Sequence, residues 1–138
     1  MTWRTLVTSD ALTLTGSLQT VQESAADMEL ELASFEEAHI QFDFNPQTTP
    51  TENCEVHIQT APQDIAGTPT WDSDDSPFQR VLITNATDPT LRSIVLRGAR
   101  TFRIKAQVID TDGTAGGDDT TSTLTVRIRR NNVDAAQS

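Results

Sequence analysis

Carboxylates are the most abundant chemistry-bearing groups in this chain, and they gather in two places: Asp72, Asp74 and Asp75 in one segment, and Asp110, Asp112, Asp118 and Asp119 in another. Such loops invite calcium, which takes about six to eight oxygen ligands from a convergent site. Asp110-Thr111-Asp112-Gly113 has the opening of a calcium loop, but its Gly comes too early and no Glu closes an EF-hand pattern. Both segments therefore read as solvated tips, and no metal is expected. His39 and His57 fall on the polar phase of their segments, and two imidazoles do not make a zinc site. Cys54 is the single cysteine, which excludes an intrachain disulfide and a cysteine-built zinc site within one chain. It sits on the apolar phase, as a packing residue does. There is no G-x-S-x-G elbow, no H-E-x-x-H and no phosphate-binding Gly loop. Carboxylate pairs that could flank a glycosidic bond are too numerous to point anywhere. The expectation is a protein without catalysis and without a cofactor.

Aromatic chemistry is sparse, with five Phe, two Trp and no Tyr. Trp71, close to Pro69, is the one residue suited to a sugar-stacking platform, and it carries the second functional reading, a carbohydrate- or host-surface-binding module. Its other reading is a lid over the open edge of the core.

Strands must position these groups. Ile40, Phe42 and Phe44 alternate with Gln41 and Asp43; Cys54, Val56 and Ile58 with Glu55, His57 and Gln59. Phe102, Ile104, Ala106 and Val108 alternate with Arg103, Lys105 and Gln107; Leu124, Val126 and Ile128 with Thr125, Arg127 and Arg129. Period-two alternation means one buried and one wet face, so Phe42, Ile58, Ile104 and Val126 are expected in the core. Weaker candidates at 12–14, 78–83 and 93–96 bring the total to seven or eight strands. The expected fold is an all-β antiparallel β-sandwich, jelly-roll-like or Ig-like. Residues 24–38 fit a strand through Met28, Leu30 and Leu32, and also helical spacing through Met28, Leu32 and Phe35; the strand is favoured. Arg97-Gly98-Ala99-Arg100 reads as a tight hairpin turn, and 110–120 as a long hairpin tip. The expected division is an N-terminal strand or extended arm over 1–27, the sandwich over 28–130 and a polar tail over 131–138.

A net charge of −10 opposes nucleic-acid binding, which draws on clustered Lys and Arg. No stretch reaches the roughly 20 apolar residues of a membrane-spanning helix, and the first residues lack a signal-peptide pattern. A soluble, unprocessed chain is expected. The charge is split along the sequence: residues 1–75 carry 14 acids and Arg4 alone, whereas residues 76–138 carry 6 acids and 9 bases. Arg supplies nine of the ten bases, the residue suited to bidentate pairing with carboxylates. Arg103, Arg127 and Arg129 share the polar phase of their strands and form a basic stripe if those strands are neighbours. With Arg97, Arg100 and Arg130 they make the expected interface, to which Trp3 and Leu6 would add apolar anchors on an N-terminal arm. Glu29, Glu31, Asp43 and Glu55 hold the equivalent acidic phase. On separate sheets these stripes must seek a partner; as neighbours in one sheet they pair within the chain.

The HIQFDF strand, the CEVHIQTAP strand with its loop to Trp71-Asp72, the SIVLRGARTFRIKAQVID hairpin and the TSTLTVRIRRNN ending together resemble small β-sandwich structural proteins of tailed-bacteriophage particles, the head-decoration and head or tail accessory proteins. The RGARTFRIKAQV run is similar to the G-x-R-x-x-R-hydrophobic hairpin of that group. The resemblance covers about residues 28–130; the segment 63–71 departs from it, being longer and Pro-bearing where related sequences have a Ser-x-Asp-Gly-x-x-Trp turn. It implies a non-enzymatic virion protein assembled in the host cytoplasm, decorating a capsid or joining head and tail, whose partners are other virion proteins and copies of itself.

Overall fold

The computed structural model describes residues 5–85 and 90–132. Within them run twelve strand segments: β1 (Val7–Thr8), β2 (Leu12–Thr13), β3 (Gln19–Thr20), β4 (Gln22–Glu23), β5 (Ala26–Asp27), β6 (Leu30–Leu32), β7 (Glu36–Asn45), β8 (Glu52–Ala61), β9 (Gln79–Ile83), β10 (Thr90–Arg97), β11 (Arg100–Asp110) and β12 (Thr123–Asn132). The count exceeds the seven or eight expected because the first third of the chain is broken into short pieces. No apolar alternation there runs beyond three positions, and small polar residues such as Ser9, Gly16 and Ser24 interrupt it. Residues 24–38 hold β5, β6 and the start of β7, with no helix; Met28 and Leu32 are buried while Phe35, their helical-phase companion, is exposed.

The strands form two antiparallel sheets and a small β4–β5 hairpin. The first sheet has the order β1-β12-β7-β10, with β2 also on β12; the second has β3-β11-β8-β9, with β6 also on β11. From β7 onward the chain alternates between sheets at every connection except β8 to β9. That winding is the jelly-roll order of the sandwich class, which decides between the two topologies left open by the alternation. It also corrects two expectations. Arg97-Gly98-Ala99-Arg100 is not a hairpin turn but an arch from one sheet to the other, and the long tip expected at 110–120 turns back locally, with Ile109 bridging Ala115, before the chain arches across as well, since β10 and β12 lie in the first sheet and β11 in the second. Gly98 makes the tighter arch possible: its φ of +92° belongs to glycine, and its N–H donates to the Glu36 carbonyl at 3.2 Å.

The core is the meeting of the two inner faces. Phe42 stands opposite Val126 in the first sheet and Ile58 opposite Ile104 in the second, and all four are wholly buried. Leu14, Val21, Met28 and Leu32 join the same cluster. The N-terminal segment thus joins the sandwich through β1, β2 and β3 rather than as an arm, with 22–27 forming the separate β4–β5 hairpin, and the last strand continues through Asn132. Trp3 and the segment 133–138 lie outside the described residues.

Because Ile104 is packed on every side, Ile104→Ala should cost about 2–5 kcal/mol in chemical denaturation. Leu91→Ala, on the outward side of β10, should stay within about 0.5 kcal/mol. A small loss at Ile104 would place that strand one residue out of register.

Candidate functional site

The outer face of the second sheet is covered by the chain's own long connection, residues 62–78. Asp72 accepts from the Thr60 N–H at 2.9 Å and the Thr60 hydroxyl at 3.1 Å. Asp74 Oδ1 accepts from Gln59 Nε2 at 2.7 Å and from Lys105 Nζ at 3.0 Å. Those bonds, Lys105 first, hold the Asp74 carboxyl below the usual aspartate range. Arg103 donates to Gln59 Oε1 at 2.9 Å, and its guanidinium lies 4.7 Å from the centre of the Trp71 ring. Asp72 and Asp74 are therefore clasps rather than a solvated tip. Trp71 is not a lid over the core's open edge: it is half-buried on the outside of the sheet, stacked on Arg103.

Among the described residues, no such connection covers the outer face of the first sheet. Arg127 sits 3.1 Å from Asp43 and 3.3 Å from Gln41 on the neighbouring β7. Arg97 Nε lies 2.9 Å from Glu37 Oε2, an ion pair at the end of the same face. Glu37 also accepts from or shares a proton with His39 Nε2 at 2.8 Å, and that bond, with the charge of Arg97 behind it, holds its carboxyl below the usual range against the effect of burial. Arg129 is exposed and forms no ion pair among the described residues. Arg100 donates to the Arg97 carbonyl at 3.1 Å and covers the Phe78 ring at 4.1 Å, while Arg130 donates to the Glu31 carbonyl at 3.2 Å. Arg100 and Arg130 border a shallow cleft with Leu32 and Ala61. The expected single basic stripe is not formed, because β11 and β12 belong to different sheets: Arg103 faces one side of the molecule, Arg127 and Arg129 the other. The expected acidic partner stripe is divided in the same way, and Asp43 meets Arg127 inside one sheet. The two histidines are likewise on opposite sheets, each bonded to the Glu two positions earlier, His57 Nε2 to Glu55 at 2.5 Å. Leu6 is exposed.

Three large apolar side chains stand out near the open side formed by β9 and β10. Leu91 and Val95 project from the outer face of β10 at 58% and 47% exposure, and Leu82 from β9 at 45%. Arg92 bridges the two edges by donating to the Leu82 carbonyl at 3.1 Å.

At the end of the sandwich where β8 begins and β11 finishes, carboxylates converge. Glu52 is directly opposite Asp110 in the β8–β11 ladder, and Asp118 arrives from the arch that follows. One carboxylate oxygen from each lies within 4.8 Å of the others. Asp119, beside them, is buried and accepts from the Thr51 hydroxyl at 2.6 Å and the Glu52 N–H at 3.2 Å. The arch is thus anchored at its base by Asp119, while residues 111–115 form the solvated tip that the sequence suggests. Sequence reasoning missed Glu52, although a signal was present: Glu52 is in phase with Cys54, Val56 and Ile58, and Asp110 with Ile104 and Val108, so both carboxylates sit on the inward phase of their strands.

No family model matches the chain. No curated protein matches it. Among solved structures it is similar to a chain from Bacillus endospore appendages, described as a novel family of disulfide-linked pili, with 11% identity, a TM-score of 0.45, and coverage of 94% of this chain and 89% of that one.

Two outcomes follow from the pairing. Arg127→Glu should lower stability by about 1 kcal/mol, replacing a cross-strand ion pair by a like-charge contact, whereas Arg129→Glu should change it little; thermal melting of the two variants checks this. Glu37 and Asp74 are both held below their ordinary values, so the stability they contribute is complete above the ordinary carboxylate range and lost as pH falls through it. Asp74→Asn should therefore flatten the fall in melting temperature on acidification below about pH 5. An unchanged slope would remove Asp74 from that linkage.

Proposed function

We propose that this chain is a non-enzymatic structural protein of a tailed-phage particle, decorating or bridging the head, and that it works by contact with copies of itself and with other particle proteins. A jelly roll serves capsid proteins and lectins alike, so the fold does not choose between them and the weight falls on the surface. The observation that carries the reading is the strip along β10. Leu91 and Val95 stand on the outer face of the first sheet, which no long connection among the described residues covers, with Arg97 two positions beyond Val95, on a strand paired among the described residues only with β7. An apolar strip ending in a guanidinium group fits a protein surface with an apolar centre and a carboxylate at its margin. The free backbone edge adds the means of extending a sheet into a neighbour. The run RGARTFRIKAQV, on which the phage resemblance rests, forms the adjoining arch and β11 rather than a hairpin.

The test is sedimentation over a range of protein concentrations, together with images of the source particle. Wild type should self-associate or co-purify with particles, and Leu91→Glu combined with Val95→Glu should weaken that association while the melting temperature moves little. A wild type that stays monomeric and is absent from purified particles would overturn the proposal.

A further inference from the structure

We infer that the end of the sandwich where Glu52, Asp110 and Asp118 meet is a calcium site. Glu52 and Asp110 face each other as a cross-strand pair, an arrangement in which like charges repel. Their strands turn both side chains to the inward phase, where water cannot screen the repulsion fully. Glu52 is wholly buried; its Oε1 accepts from the Gly117 N–H at 2.7 Å and from the Asp118 N–H, yet its Oε2 has no hydrogen-bond partner. A buried carboxylate oxygen without a donor is costly unless a cation faces it.

The segments around it supply no cation. Residues 10–20, 45–53 and 110–122, which build this end, contain no Lys, Arg or His. Their proximity is set by close backbone packing: Gly16 lies against the Gly116 carbonyl, and a Cβ on Gly116 would come 2.3 Å from Glu52 Oε2. The spacing suits calcium. Oxygens bound at about 2.3–2.6 Å can stand up to about 5 Å apart across one ion, and the three carboxylates bring oxygens within 4.8 Å of one another. Asp110 keeps one oxygen for this role while Oδ2 accepts from the Thr114 hydroxyl at 3.3 Å. Asp118 is exposed, which leaves a path for the ion and room for water to complete its shell. The ligands come from three separate stretches, the start of one strand, the end of another and the arch after it, so the site ties the arch to one end of the second sheet.

The experiment compares the melting temperature of the full chain in EDTA with that in millimolar calcium chloride, with sodium chloride at matched ionic strength as the control, and titrates calcium chloride by calorimetry. Calcium should raise the melting temperature by about 5 °C and bind once per chain, and sodium should reproduce neither effect. Asp118→Asn removes an exposed ligand without touching the Asp118 N–H bond to Glu52, and should weaken calcium binding at least about tenfold. Glu52→Gln should melt in EDTA at or above wild type, because a repulsion is relieved, and should lose its response to calcium. An equal response to sodium, a wild type indifferent to calcium, or a full calcium response in Asp118→Asn would each overturn the inference.

Discussion

Two facing layers of apolar side chains set the rest of the molecule in place. Ile40, Phe42 and Phe44 on β7, with Leu124, Val126 and Ile128 on β12, close against Val56 and Ile58 on β8 and Ile104 and Val108 on β11. Side chains alternate across a strand, so fixing these positions inside fixes every odd-numbered neighbour outside. A slip of one residue would expose phenylalanine and bury Asp43 and Arg127 together. The same phase rule carries Glu52 and Asp110 inward at the ends of their strands, where the apolar layer stops and carboxylates take over.

The uneven charge along the sequence takes on a different meaning in space. The acid-bearing strands β7 and β8 come from the first half of the chain, and their neighbours β12, β10, β11 and β9 come from the second. Each acidic strand is therefore flanked by strands that carry the arginines, and Arg127 with Asp43 and Arg97 with Glu37 are the local result. The split is a feature of strand pairing before it is a feature of assembly. What that pairing leaves over is Arg129 on β12 and, across β7, the exposed Leu91 and Val95 on β10.

Alternation made the four long strands legible from Ile40, Cys54, Phe102 and Leu124 onward, because it reports which face a residue takes. It does not report which strand lies alongside. Nothing local distinguishes a turn that closes a hairpin from one that arches between sheets, and Arg97 to Arg100 has the composition of both. The fold-back of residues 62–78 was hidden for a related reason: Asp72 and Asp74 find Thr60, Gln59 and Lys105 through tertiary contacts that leave no period in the sequence. The convergence of Glu52, Asp110 and Asp118 spans more than fifty positions, so a search within the second Asp-rich loop sees only two of its members and a search within the first sees none. Its trace in the sequence was a charge on an apolar phase, a local inconsistency of the kind that marks a functional site.

The two open sides of the sandwich are not alike, and the difference gives the molecule a direction. One side is built from β1, β2, β3 and β6, each two or three residues long and separated by turns. Such fragments are poor templates for an added strand, as short edges generally are. The other side carries β10, eight residues long, with Leu91 and Val95 outward and Arg92 tying it to β9. The Arg92 bond ties the two sheets together on that side, while Leu91 and Val95 stay exposed on the outer face. A contact through β10 therefore joins unlike surfaces unless two copies meet strip to strip about a twofold axis. In the first case the contact repeats around a ring or along a lattice, and in the second it stops at a dimer.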